Sequence, residues 1–254
     1  MTHTTDINTT PAIVIGASRG LGRGITTALA QAGRPVIAVA RSGAELTELA
    51  DEARNIRPEV ADATDPSSAG SLLEKYKPEV IVLVAGATPH MQPLQHQTWE
   101  TFSVNWETDV RIAFHWLRLA LLTPLQPGSR FVVISSGAAL NPNGSPLSGG
   151  YAGAKATQRF ITAYAQDESN HAGLGITFTT VLPQFAPLTG VGKPAVAAYA
   201  AQAGLSVEEF LTTRPSPPLT PEIAGDAIVE LLQTETANLA PSYILHGGGL
   251  HKLP

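Results

Sequence analysis

Ile13-Val14-Ile15-Gly16-Ala17-Ser18-Arg19-Gly20-Leu21-Gly22 joins a short apolar run to a glycine-rich turn, and a helical stretch follows at once. That order of strand, turn and helix is the context in which clustered glycines bind a dinucleotide. Glycines permit a tight turn and let the backbone approach a pyrophosphate, while the free amides and dipole of the helix N-terminus attract its charge. Outside that context the same cluster reads as a plain strand-to-helix turn.

Working outward, further apolar runs occur at Val36 to Ala40, Val80 to Val84, Phe131 to Ile134, Ile176 to Leu182 and Tyr243 to Leu245. Apolar on both faces, they suit strands of a parallel sheet covered by helices. Between them lie helix-compatible stretches at Leu21 to Gly33, Gly43 to Ile56, Ser67 to Tyr76, Trp99 to Leu122, Tyr151 to His171 and Pro221 to Leu232. The alternation predicts an α/β fold of the Rossmann type, a doubly wound parallel sheet with helices on both faces. Residues 11–254 are expected to form one domain, preceded by a polar, threonine-rich leader at 1–10. The stretch 183–220, with Phe185, Lys193, Tyr199, Phe210 and the Pro215 to Pro218 cluster, is too long for an ordinary connection and reads as a substrate loop or lid.

Composition narrows the function classes. With 43% hydrophobic and 15% charged residues among 254, the chain can bury a sizeable core. Its net charge of −5 offers no basic field to a polyanion, so nucleic acid is not an expected partner. The absence of cysteine removes disulfides, thiolate metal sites and thiol catalysis. No metal-ligand spacing is found among the histidines; His90, just beyond the Val80 to Val84 run, is the one placed to line a pocket. Neither a signal-like segment nor a long apolar span is found, and the expectation is a cytoplasmic protein without a membrane partner.

Four positions carry chemistry. Tyr151 and Lys155 stand four apart at the start of a helical stretch and so share one face. A phenol with a reference pKa of about 10 exchanges protons poorly at neutral pH, but an adjacent ammonium favours its phenolate and makes it a usable acid and base. Ser135-Ser136 ends the Phe131 to Ile134 run, at the carboxyl edge where open sheets bind ligands, and Asn105 lies upstream in Val104-Asn105-Trp106. Singly, these read as a packing pair, a turn and a helix cap. The second apolar run ends in Ala40-Arg41-Ser42, where a carboxylate would bind ribose hydroxyls and an arginine a 2′-phosphate. With Arg19 in the glycine turn, two guanidinium groups can converge on one phosphate, which favours NADP(H) over NAD(H).

Taken in order, these positions resemble the short-chain dehydrogenase/reductase family, in its short single-domain branch. The likeness runs through Gly16, Gly20 and Gly22; Asp62 in Asp62-Ala63-Thr64-Asp65; Ala85-Gly86; Asn105; Ser136, Tyr151 and Lys155; Pro183; and Gly247-Gly248. It implies that Tyr151 donates and accepts the proton, Ser136 positions the substrate oxygen with Ser135 as fallback, Lys155 holds the nicotinamide ribose, and Asn105 anchors a water in the proton relay. The resemblance further implies a cofactor cradle of Gly16, Ser18, Arg19, Gly20, Leu21, Gly22, Arg41, Ser42, Asp62, Ala63, Ala85, Gly86, Tyr151, Lys155, Pro183 and Thr189. The sequence departs from the family at Ile15, at Leu83-Val84 and at Gln184, where threonine, two asparagines and glycine are usual. A homo-oligomer, tetramer or dimer, is implied through the helices Phe102 to Leu122 and Tyr151 to His171, where Ala152, Ala156 and Ala163 allow close approach.

The function expected from all this is an NADP(H)-dependent oxidoreductase moving hydride between nicotinamide C4 and a carbonyl or alcohol. Its small-molecule substrate is expected to be apolar and uncharged, because Ala138 to Leu147 and Phe185 to Leu219 carry few charges. The alternative is an NADP(H)-binding redox sensor or regulatory protein without turnover.

Overall fold

Alternate residues of the first apolar run go to opposite faces of a sheet. In the computed structural model, which describes residues 10–123, 125–141, 145–213 and 217–253, β1 (Ala12–Ile15) sends Ala12 and Val14 into one core and Ile13 and Ile15 into another. β2 (Val36–Ala40) divides likewise, with Val36 and Ala38 on the first side and Ile37 and Val39 on the second. A strand apolar on both faces therefore requires helices on both.

The helices supply that cover: α1 (Gly20–Gln31), α2 (Gly43–Glu52), α3 (Pro66–Tyr76), α4 (Trp99–Asn105), α5 (Arg111–Leu122), α6 (Gly149–His171), α7 (Gly192–Gln202), α8 (Val207–Thr212) and α9 (Pro221–Gln233). The remaining strands are β3 (Ile56–Val60), β4 (Val80–Leu83), β5 (Arg130–Ile134), β6 (Thr177–Pro183), β7 (Ser242–His246) and β8 (Gly249–Lys252). The sheet order is β3-β2-β1-β4-β5-β6-β7-β8, parallel through β7 with β8 antiparallel at the edge. The order reverses between β1 and β4, and this is the switch point where such sheets take ligands.

Three sequence expectations need correction. Gly43 to Ile56 is not one helix: α2 stops at Glu52, and Ile56 begins β3. That strand has only β2 as a neighbour, so a proline and two charges are tolerated along its open edge. Trp99 to Leu122 is interrupted by a π-helical turn at Trp106–Val110. Residues 183–220 are not a bare loop, since α7 and α8 fold onto each other around Val196, Ala200 and Phe210. Of the three tryptophans, Trp116 is core while Trp99 and Trp106 are exposed. Residues 1–9 of the leader, the middle of the Ala138 to Leu147 pocket segment and the front of the Pro215 to Pro218 cluster lie outside the described residues.

Where the family usually braces β1 and β4 with polar side chains, the backbone serves here. The amides of Val84 and Ala85 both donate to the Ile15 carbonyl at 2.9 Å, above a buried Ile15–Leu83 pair. Caps fix the helices that frame the cavity: Asp65 accepts from the Ser67 amide before Pro66 opens α3, and Thr220 does the same for Ile223 before Pro221 opens α9.

The tightest helix contact is between α1 and α9. A Cβ on Gly225 would stand 2.6 Å from the Gly24 carbonyl oxygen and 2.7 Å from Ala28 Cβ. Gly225→Ala is therefore expected to cost about 1–3 kcal/mol by forcing the helices apart, seen as a lower midpoint in denaturant unfolding. An unchanged midpoint would show that the two helices separate freely.

Candidate active site

At the switch point the glycine turn faces a cavity of about 1110 Å³, larger than the roughly 300–1,000 Å³ that a typical small-molecule site encloses. Its floor is backbone. Gly16 and Gly20 have φ of +90° and +55°, and a Cβ on Gly16 would lie 2.7 Å from the Ala85 amide nitrogen. Only glycine fits such an approach without strain. Beneath it, a Cβ on Gly22 would overlap the Gly16 carbonyl oxygen at 2.0 Å. A turn this bare at the N-terminus of α1 fits a pyrophosphate.

Ser18, Arg19, Gly20, Leu21, Arg41, Ser42, Asp62, Ala63, Ala85, Gly86, Ser136, Tyr151, Lys155, Pro183 and Thr189 line this cavity together with Gly16. Gly22 and Asn105 do not: the first packs under the turn, and the second is buried behind the wall. The Asn105 amide donates to the Ala87 carbonyl at 2.8 Å and to Asp109 Oδ1 at 3.3 Å. His90 is exposed and off the cavity, whereas His246, for which no site role was read from sequence, lines it and stacks on His251 at 4.6 Å.

At the nucleotide end, the Thr64 amide and hydroxyl both donate to Asp62 Oδ1 and hold its carboxyl below the usual carboxylate range, with Arg41 adding to the effect. The indole of Trp116 donates to the Ala63 carbonyl at 3.2 Å, so α5 fixes this wall from behind. Arg19 and Arg41 are both exposed, and among the described residues neither closes an ion pair. Glu45, in the first turn of α2, lines the same wall.

At the other end, the two serines differ. Ser135 is buried and its hydroxyl donates to the Lys155 carbonyl at 2.7 Å, which ties the sheet to α6. Ser136 caps the short turn after it, accepting from the Ala138 amide at 3.2 Å. Tyr151 lies in the first turn of α6 and Lys155 one turn on, its Nζ 5.6 Å from the tyrosine ring centre. α7 reaches the same place: Tyr199 shares hydrogen bonds with Ser145 at 2.7 Å and Ser148 at 2.9 Å.

The residue sequence reasoning missed is Asp109. It has no exposed surface, and its Oδ2 lies 3.1 Å from Lys155 Nζ. Burial works against the lysine's charge, but Asp109 and, less strongly, Tyr151 outweigh it and hold the ammonium above an ordinary lysine's value. A signal existed: Asp109 precedes Ile112, Ala113 and Trp116 at helical spacing, which puts an acid in line with a core stripe.

Three comparisons with known proteins bear on the family and the fold. The short chain dehydrogenase family profile matches residues 10–200. The human L-xylulose reductase is 32% identical over 99 residues, 39% of this chain and 41% of that protein, so the match spans under half of its length. The 3-oxoacyl-[acyl-carrier-protein] reductase FabG of Escherichia coli (strain K12) is 30% identical over 183 residues, covering 68% of this chain and 72% of the relative. Among solved structures, a variant of the actinorhodin polyketide ketoreductase with NADPH superposes with a TM-score of 0.78 at 21% identity, covering 94% of this chain and 97% of that one.

Proposed function

This chain belongs to the short-chain dehydrogenase family, and from that premise we propose that it is an NADP(H)-dependent reductase of neutral, apolar carbonyl compounds, working also on the corresponding alcohols. One observation carries the reading: Tyr151 and Lys155 meet at the same cavity whose floor is the glycine turn. The glycine turn would hold a nicotinamide dinucleotide by its pyrophosphate, and that cofactor would supply the hydride in reduction and take it in oxidation.

The chain's own residues handle the proton. The Tyr151 hydroxyl gives its proton to the substrate oxygen in reduction and recovers it in oxidation. The Ser136 hydroxyl donates to the same oxygen and fixes its place, since Ser135 is already committed to α6. Lys155 offsets the phenolate charge and serves the cofactor's ribose hydroxyls. Asn105 braces the wall through its amide nitrogen, which donates to Ala87 and Asp109, and the anchoring of a relay water falls to its carbonyl oxygens.

Arg19 and Arg41, free of ion pairs among the described residues, are the receptors for a 2′-phosphate. Arg41→Asp is expected to weaken NADPH binding at least about tenfold, a charge-assisted pair being replaced by repulsion, and to narrow or reverse the preference over NADH. Titrating both cofactors at fixed salt checks this, and tighter NADH binding by the parent protein would instead point to Glu45.

The substrate wall is apolar, built by Met91, Pro146, Phe185, Val191, Val196 and Phe210. Among the described lining residues from 183 to 212, none is charged. Oxidation of NADPH with a panel of ketones, aldehydes and quinones tests the proposal; tight NADPH binding without turnover of any would identify a binding protein instead. Trp99, Trp106, Phe114, Leu122, Phe160 and Tyr164 are exposed on α4, the π turn, α5 and α6, and a second copy of the chain is proposed to cover them.

A further inference from the structure

Asp109 is held from three directions. Its Oδ1 accepts from the Ala87 amide at 2.8 Å and from Asn105 Nδ2 at 3.3 Å, while Oδ2 makes the 3.1 Å ion pair with Lys155 and no aligned hydrogen bond. A Cβ on Gly86 would fall 2.7 Å from Oδ2, so the strand end leaves room for this carboxylate only because residue 86 is glycine. The backbone of Asp109 is fixed as well. Gln158 donates from Nε2 to its carbonyl at 2.9 Å and accepts from Lys155 Nζ through Oε1 at 2.9 Å. Both acceptors of the ammonium are thus referred to one residue, at the π turn that breaks the α4–α5 helix.

We propose that Asp109 is a positioning residue for the proton-transfer pair, a fixed counter-ion that keeps Lys155 charged and aimed at Tyr151 before any cofactor arrives. The proposal rests on the reading of Tyr151 and Lys155 given above. A buried ammonium without a counter-charge sheds its proton, and a neutral amine would leave the phenolate of Tyr151 uncompensated. The titratable groups facing Lys155 Nζ are Asp109 from the π turn and Tyr151 from its own helix. The loop after β4 and the end of β5 line the cavity with Val84 to Pro89, Met91 and Ile134 to Ala138, none of them charged. Holding the ammonium in advance spares the site a reorganisation at the moment of reaction.

The test is carbon-13 NMR of protein labelled at lysine Cε, without cofactor or substrate, with the Lys155 signal identified by its loss in Lys155→Arg. In the parent protein Lys155 is expected to titrate above the 10.5 of an ordinary lysine. In Asp109→Asn it is expected to titrate at least about one pH unit lower than in the parent, and Asp109→Glu should stay near the parent. The alkaline limb of kcat/KM should move to lower pH in Asp109→Asn alone. A purely structural role would lower activity equally at all pH and leave the limb in place. An unchanged lysine titration in Asp109→Asn overturns the proposal; should that variant not fold, a parent lysine titrating at or below 10.5 does so. The NMR arm needs no turnover, so lack of carbonyl reduction would sink the proposed function while leaving this result readable.

Discussion

Tyr151→Phe is expected to lower turnover by about a hundred- to ten-thousandfold, the range that loss of a general acid produces, while NADPH affinity stays nearly unchanged. The ring remains to fill its place at the start of α6, and the Lys155–Asp109 pair stays intact behind it. What disappears is the one hydroxyl that α6 presents to the cavity from this turn. Steady-state rates with the best substrate, together with a cofactor titration, check both halves. A variant reducing that substrate at near the parent rate would overturn the assignment of the acid.

Lys155→Met is expected to damage the fold as well as the reaction. It strands the buried Asp109 carboxylate, and breaking one side of a buried pair costs about 3–5 kcal/mol. Lys155→Met combined with Asp109→Asn should recover most of that loss without recovering activity, because the second change removes the stranded charge. Denaturant unfolding of the single and double variants measures the coupling, and additive losses would show that the pair is not the source. The pH dependence in the parent follows from the raised value of Lys155. Its stabilising contribution is complete below 10.5 and fades only as pH climbs through the higher folded-state value, so this lysine adds no pH dependence near neutrality.

The cofactor half was legible because its constraints are local. A positive-φ glycine at the end of a both-sides-apolar strand has few readings, and Gly16, Gly20 and Gly22 stand where the backbone needs them. Tyr151 and Lys155 were legible for a similar reason, helical spacing alone putting them on one face. β3 was not, because an edge strand paired only to β2 can carry Arg57, Pro58 and Glu59 and lose the apolar run that marks a strand. The π turn was hidden as well: Trp99 to Leu122 keeps helical composition throughout, and the extra residue per turn leaves no compositional mark. Asp109 lies in that turn, where its spacing to Ile112, Ala113 and Trp116 was the one mark it left. Ser135 and Ser136 show a further limit, since both border the cavity and only the placement of α6 decides that the Ser135 hydroxyl is spent.

The near contact of Gly24 with Gly225 bears on how the protein is made. α1 carries the glycine turn on its first residues, yet the helix that seals its outer face, α9, is synthesised only after nearly every other element has left the ribosome. Pairings so distant in sequence form late, because the intervening chain must first be closed into a loop. β1 waits in the same way, since β4, its inner neighbour, follows two helix-strand units after it. During translation the side of α1 that faces α9, at Gly24 and Ala28, therefore stays open after its Ile25 and Leu29 can pack on β1 and β2, and it needs cover in the nascent chain.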